Sequence, residues 1–154
     1  MQQTRQLAAI MFTDIVGYSG LMGRDEAGAM KLLDLSRKMQ QNLVAVHNGR
    51  WIKELGDGVI IVFNSVLNAV NCAMDIQKQA RRIESLSLKI AIHSGEILMT
   101  TNDVFGDSVN LTSRMEQLGE KDTIILSGTA LSAINNIASI QTAYLGDFNL
   151  KNIQ

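Results

Sequence analysis

Two aspartates and an asparagine–arginine pair are the groups in this 154-residue chain best placed to do chemistry. Asp14 closes the apolar run "LAAIMFTD" and is followed by the glycine-bearing turn "IVGYSG". Asp57 lies inside "KELGDGVII", between two runs of strand-like composition. If those strands are neighbours, the two carboxylates approach each other, and unit charges about 4 Å apart near a protein surface repel by roughly 4 kcal/mol. Such a pair needs a shared proton or a cation, and oxygen-only ligands favour Mg2+ or Mn2+. Each aspartate alone also has a plain structural reading: Asp14 as a turn cap, Asp57 as half of a common hairpin dipeptide. The backbone N–H groups of Ile15, Val16, Gly17, Tyr18 and Ser19, ahead of a helix, can hold phosphate oxygens.

Asn110 and Arg114 are four residues apart in "GDSVNLTSRMEQLG" and share one stripe of a short helix, beside an apolar stripe of Leu111, Met115 and Leu118. An arginine so placed can serve developing negative charge, or it can simply pair with Glu116 or Asp107. The two histidines, His47 and His93, share no metal-ligand spacing. The chain contains no GxSxG, CxxC, HExxH or Walker sequence.

The elements that must position these groups follow from periodicity and punctuation. Residues 7–13 read as a buried strand. A helix is predicted over 25–47, with Ala29, Leu32, Leu33, Ser36, Met39, Leu43 and Val46 on one face, Asp25 as cap and Gly49 at its end. "WIKELGDGVIIVF" predicts a hairpin closed by an Asp-Gly turn. A second helix is predicted over 65–83, capped by Ser65. "LKIAIHSGEILMT" predicts a strand pair about Gly95. Then come a short helix from Asp107 or Ser108 to Gly119, a strand at "DTIILS", a helix over 128–136 and a last strand at "IQTAYLG".

Hairpins mixed with helical crossovers imply an α+β fold: a mostly antiparallel sheet with helices on one face and a ferredoxin-like, split βαβ centre. One domain spanning residues 1–154 is expected. The other sheet face would carry Trp51, Leu55 and Lys53 together. An apolar face holding a lysine suggests cover by a partner chain, although core packing accounts for the aliphatics equally well.

Apolar residues make up 46%, charged residues 19%, and the net charge is −1, an ordinary globular composition. It provides no general attraction to nucleic acid or anionic membrane. The single cysteine, Cys72, lies on a helix face in "NAVNCAMDI" and is expected to be buried and inert, in keeping with a reducing, cytoplasmic setting. The longest apolar runs are too short to span a bilayer, so any membrane tether would belong to other segments of a longer parent.

Taken together, "FTDIVGYS", "KELGDG", "DVFGDSVNLTSRME" and "GDFNLKNI" resemble one family, the class III nucleotidyl cyclase catalytic domain of adenylate and guanylate cyclases. The resemblance is closest to bacterial adenylate cyclases and covers nearly the whole chain. It implies that Asp14 and Asp57, aided by the Ile15 carbonyl, bind two Mg2+ or Mn2+ ions. It implies that Arg114 stabilises charge on the transferred phosphoryl group and Asn110 orients the ribose. Lys53 and Asp103 match the family's adenine-reading pair, which makes ATP the expected substrate. The family's head-to-tail dimer implies a homodimer with two equivalent sites. Guanylate cyclase, or a nucleotide-binding regulatory module without turnover, are the alternatives. Tyr18 stands where phenylalanine is common, and the stretch between Gly95 and Asp103 is shorter than in members with a long dimer arm. The ending "LKNIQ", short of the family's last strand, implies a catalytic domain excised from a longer, regulated protein.

Overall fold

The computed structural model describes residues 3–143 and 146. In chain order its elements are β1 (Thr4–Ile15), α1 (Tyr18–Arg24), α2 (Glu26–Val46), β2 (Arg50–Leu55), β3 (Gly58–Phe63) and α3 (Val66–Ala80). They continue as β4 (Leu88–Met99), β5 (Val104–Phe105), α4 (Asp107–Glu116), β6 (Thr123–Leu126) and α5 (Gly128–Ile134). The sheet runs β2-β3-β1-β4-β5 with antiparallel neighbours, and β6 adds to β4 in parallel. The order β2-β3-β1-β4 built from a βαββαβ chain is the expected split βαβ centre.

Two helix starts obey local chemistry. The Asp25 carboxylate accepts a hydrogen bond from Gly28 N at 3.0 Å, and the Ser65 hydroxyl accepts one from Asn68 N at 3.2 Å. These caps satisfy backbone donors that the first helical turn leaves unpaired. Strands β1 and β3 are rich in branched and aromatic residues, and both of their faces are buried.

Alternation along β1 divides the core in two. Ala9, Met11 and Ile15 face a large apolar cluster with Leu32 and Val44 of α2, Ala73 and Ile76 of α3, and Ala130 and Ile134 of α5. Tyr18 and Leu21 of α1 pack against the same cluster. Ala8 and Ile10 face the other way, with Ile60, Val62, Ile97 and Val109. Val109 belongs to α4, so α4 lies alone on the second face. The expectation of helices on one face holds for α1, α2, α3 and α5, and α4 is the exception.

Several local expectations change. The segment about Gly95 is one continuous twelve-residue strand, β4, not a strand pair. Gly95 is there because α4 passes close overhead: a Cβ on it would lie 2.3 Å from Ser108 Oγ. The β2–β3 turn is Gly56–Asp57 rather than Asp57–Gly58, since Leu55 pairs with Gly58. Gly56 takes φ 61° at the first turn position, as a two-residue hairpin of the II′ kind requires. A bulge between Trp51 and Lys53 breaks the alternation of β2. Trp51 therefore packs with the α2–α3 cluster while Lys53 stays with Leu55 on the second face. The short helix α1 was not expected. In α2 the buried residues are Ala29, Leu32, Ser36, Gln40 and Val44, whereas Val46 is 71% exposed. Residues 140–143 of the expected last strand are not in a strand, and the rest of it, apart from Gly146, lies outside the described residues.

Cys72 is fully buried, and burial, with Asp75 adding to it, pushes its thiol up to about 12. It is inert, as expected. Among the described residues, no helix is long and apolar enough to cross a membrane.

Candidate active site

Asp14 and Asp57 meet. The Asp57 carboxylate reaches across from the hairpin turn and accepts a hydrogen bond from Ile15 N at 3.0 Å. Both aspartates line one cavity of about 250 Å3 with Ile15, Val16, Gly17, Tyr18 and Ser19. The antiparallel pairing of β1 with β3 sets this meeting, because it lays the β2–β3 turn beside the end of β1.

Burial, and then the Asp57 carboxylate beside it, push the Asp14 carboxyl up to about 8, with Glu116 adding to the effect. Two acids so close in a half-buried place share a proton unless a cation replaces it. Among the described residues, no three His, Cys, Asp or Glu side chains form a ready metal cluster. A cation here would draw the rest of its shell from backbone, water and phosphate oxygens. That all-oxygen donor set fits a hard divalent ion such as Mg2+ or Mn2+.

Two groups beside Asp14 were missed in the sequence reading. Lys89 lines the cavity and is the cross-strand neighbour of Asp14. Glu116, at the end of α4, is 9% exposed and close enough to Asp14 for the two carboxyls to perturb each other. Burial raises its proton affinity, against the pull of Lys89. The strand register could have revealed Lys89, but only once the β1–β4 pairing was known.

A second cavity, of about 330 Å3, lies on the α4 face of the sheet and includes Lys53, Phe105, Asn110 and Ser113 in its lining. Lys53 Nζ donates to Asp103 Oδ2 at 3.0 Å, and Asp103 Oδ1 accepts from Val104 N at 2.8 Å. Burial is the largest single influence on the Asp103 carboxyl and raises it, but the Lys53 and Val104 bonds with the Lys53 charge together outweigh it and hold the group below its usual range. Asn110 is exposed and Arg114 half-buried, one turn apart on α4. The buried residues of this helix are Val109, Thr112, Met115 and Glu116. Of the expected apolar stripe only Met115 is buried, and Leu118 lies beyond the helix end and is exposed.

Both histidines act as ties between elements. His47 Nε2 bonds Asp75 Oδ2 at 2.7 Å, joining α2 to α3. His93 Nδ1 bonds the hydroxyl of Ser127, the α5 cap, at 2.7 Å, and burial lowers its proton affinity.

The family model "Adenylate and Guanylate cyclase catalytic domain" matches residues 1–153. The chain is 34% identical to "Putative adenylate cyclase 3" of Rhizobium meliloti (strain 1021), over 97% of this chain and 27% of that protein. It is 30% identical to an adenylate cyclase of Streptomyces coelicolor, over 77% of this chain and 32% of that protein. A crystal structure of an adenylate/guanylate cyclase/hydrolase from Silicibacter pomeroyi superposes with a TM-score of 0.91. The two share 30% identity, covering 99% of this chain and 94% of that one. The chain belongs to the adenylate and guanylate cyclase catalytic domain family. It spans about a quarter to a third of the length of the two curated relatives.

Proposed function

We propose that residues 1–154 form one catalytic domain of an adenylate cyclase, which converts ATP to 3′,5′-cyclic AMP and pyrophosphate. The observation that carries this reading is the seating of Asp14 and Asp57 together in one cavity with the Ile15–Ser19 turn. In it, the two carboxylates and the Ile15 carbonyl would hold two Mg2+ or Mn2+ ions, which when bound would make the ribose 3′-hydroxyl more nucleophilic and neutralise triphosphate charge. Backbone N–H groups of Gly17, Tyr18 and Ser19 hold phosphate oxygens, since Val16 N already donates to the Ser87 carbonyl at 2.8 Å and Ile15 N to Asp57, and Lys89 adds positive charge beside them. The 3′-oxygen attacks the α-phosphorus in line and pyrophosphate leaves. Asn110 orients the ribose, and Arg114 stabilises the charge that develops on the transferred group. Losing one such preorganised donor costs about 3–4 kcal/mol of barrier.

The base preference follows from hydrogen-bond polarity. Adenine offers an acceptor at N1 and a donor at N6, which Lys53 and Asp103 complement. Guanine reverses both, and each unmet polar group costs roughly 1–3 kcal/mol. The pair is already formed at 3.0 Å, which supports its use as a prebuilt reader of the purine edge.

The acidic cavity and the Lys53 cavity share no lining residue. This supports a head-to-tail homodimer in which each site takes its acids from one chain and its base-reading and charge-stabilising residues from the other. Leu55 and Phe105, 49% and 48% exposed at the Lys53 cavity, are apolar surface for such a partner to cover. The span relative to the curated relatives supports attachment to further domains in a longer protein.

Purified protein with Mn2+ is expected to release cyclic AMP from ATP, faster than cyclic GMP from GTP, and Asp57→Ala to abolish both. Turnover unchanged in Asp57→Ala would remove the metal assignment. Faster GTP turnover would make the protein a guanylate cyclase, and nucleotide binding without product under any divalent cation would make it a regulatory module.

A further inference from the structure

One turn of α2 grips both aspartate-bearing segments from behind the sheet. Gln40 Oε1 accepts from the Thr13 hydroxyl at 2.7 Å, and Gln40 Nε2 donates to Ser36 Oγ at 2.9 Å. Thr13, Ser36 and Gln40 are each at most 1% exposed, so this is a closed polar chain inside an apolar core. Next to it, Arg37 Nη2 donates to the Gly56 carbonyl, and Arg37 Nη1 lies 3.3 Å from Glu54 Oε1. Thr13 is the residue before Asp14, and Gly56 is the residue before Asp57.

Buried polar chains are poor sources of stability, since matched apolar replacement of both partners is often neutral or better. Here they do something an apolar core cannot. Dispersion contacts are non-directional and let a strand slide by fractions of an ångström, whereas two directional anchors on one rigid helix fix a separation.

We propose that Ser36, Arg37 and Gln40 of α2 form a positioning bracket that sets the spacing of Asp14 and Asp57. None of the three lines the acidic cavity. The bracket rests on the metal reading above. It adds that α2, which contributes no residue to the cavity, tunes cation affinity. Arg37 holds the turn so that Asp57 keeps one oxygen on Ile15 N and presents the other to the cavity.

The test is direct Mn2+ binding by calorimetry, read beside thermal unfolding of the metal-free protein and kcat. Removing outer partners of a metal site typically weakens affinity about 10- to 100-fold. Arg37→Ala, and the double variant Thr13→Val with Gln40→Leu, are each expected to bind Mn2+ about tenfold more weakly and to lose a similar factor in kcat at fixed Mn2+. The double variant leaves only the Ser36 hydroxyl short of a partner and is expected to unfold close to the wild-type temperature, which separates positioning from stability. If Arg37→Ala does not fold, Arg37→Lys carries the test, with a smaller loss of Mn2+ affinity expected. Wild-type Mn2+ affinity in the bracket variants, while Asp57→Ala has lost it, would overturn the bracket alone. Wild-type affinity in Asp57→Ala would overturn the metal reading and the bracket with it.

Discussion

At the scale of single residues, Asp14 makes the clearest statement about linkage. Folding raises its carboxyl from 3.8 to about 8, so between those values the metal-free native state binds more protons than the unfolded chain. The sign follows: Asp14 opposes folding increasingly as pH rises through that window, the reverse of an ion-paired aspartate. Thermal unfolding of metal-free protein at a series of pH values is expected to show falling stability toward pH 8, and Asp14→Asn to flatten the slope. Saturating Mn2+ is expected to raise the midpoint most near pH 8, where displacing the proton is easiest. An equal slope in Asp14→Asn would remove Asp14 as its source. Asp14 and Asp57 stood out in the sequence because acid chemistry is carried by identity, whereas Lys53 and Asp103 came forward as a pair only through the family resemblance. Lys89 and Glu116 were not, because their meaning lies in what they face: one needs the β1–β4 register, the other the docking of α4.

At the scale of elements, α4 is the piece most exposed to perturbation. It rests alone on its sheet face, with Ser108 packed over Gly95. Gly95→Ala would place a methyl group against Ser108 Oγ and His93 Nε2, and overpacking of this kind costs about 1–3 kcal/mol. The expected outcome is a folded protein with lowered melting temperature and a larger loss in kcat than in ATP KM, since Asn110 and Arg114 ride on the displaced helix. Unchanged kcat would show that α4 tolerates the shift. Helices α2 and α3 were legible through caps and 3.6-residue periodicity. The glycine at residue 95 was misread as a strand break because a glycine needed for a neighbour's approach looks like one needed for a turn. Helix α1 was missed for a related reason: it holds two glycines in seven residues and buries none of its side chains.

For the whole molecule, the strand order was legible because hairpins and crossovers of these lengths leave few alternatives. The two cavities share no lining residue, and the homodimer proposed on that ground has a sharp signature. Asp57→Ala and Arg114→Ala are each expected to be inactive, yet a mixture should recover part of the turnover, because the mixed dimer rebuilds one intact site. Absence of recovery, with exchange of subunits verified by a size or tag assay, would mean that each chain works by itself. The bulge at Trp51 was invisible to alternation, which assumes a strict two-residue repeat. Trimming Ile52 from β2 would restore the regular pleat and keep the lysine across from Ile60, so the inserted residue adds apolar cover to the α4 face without setting which way the lysine points.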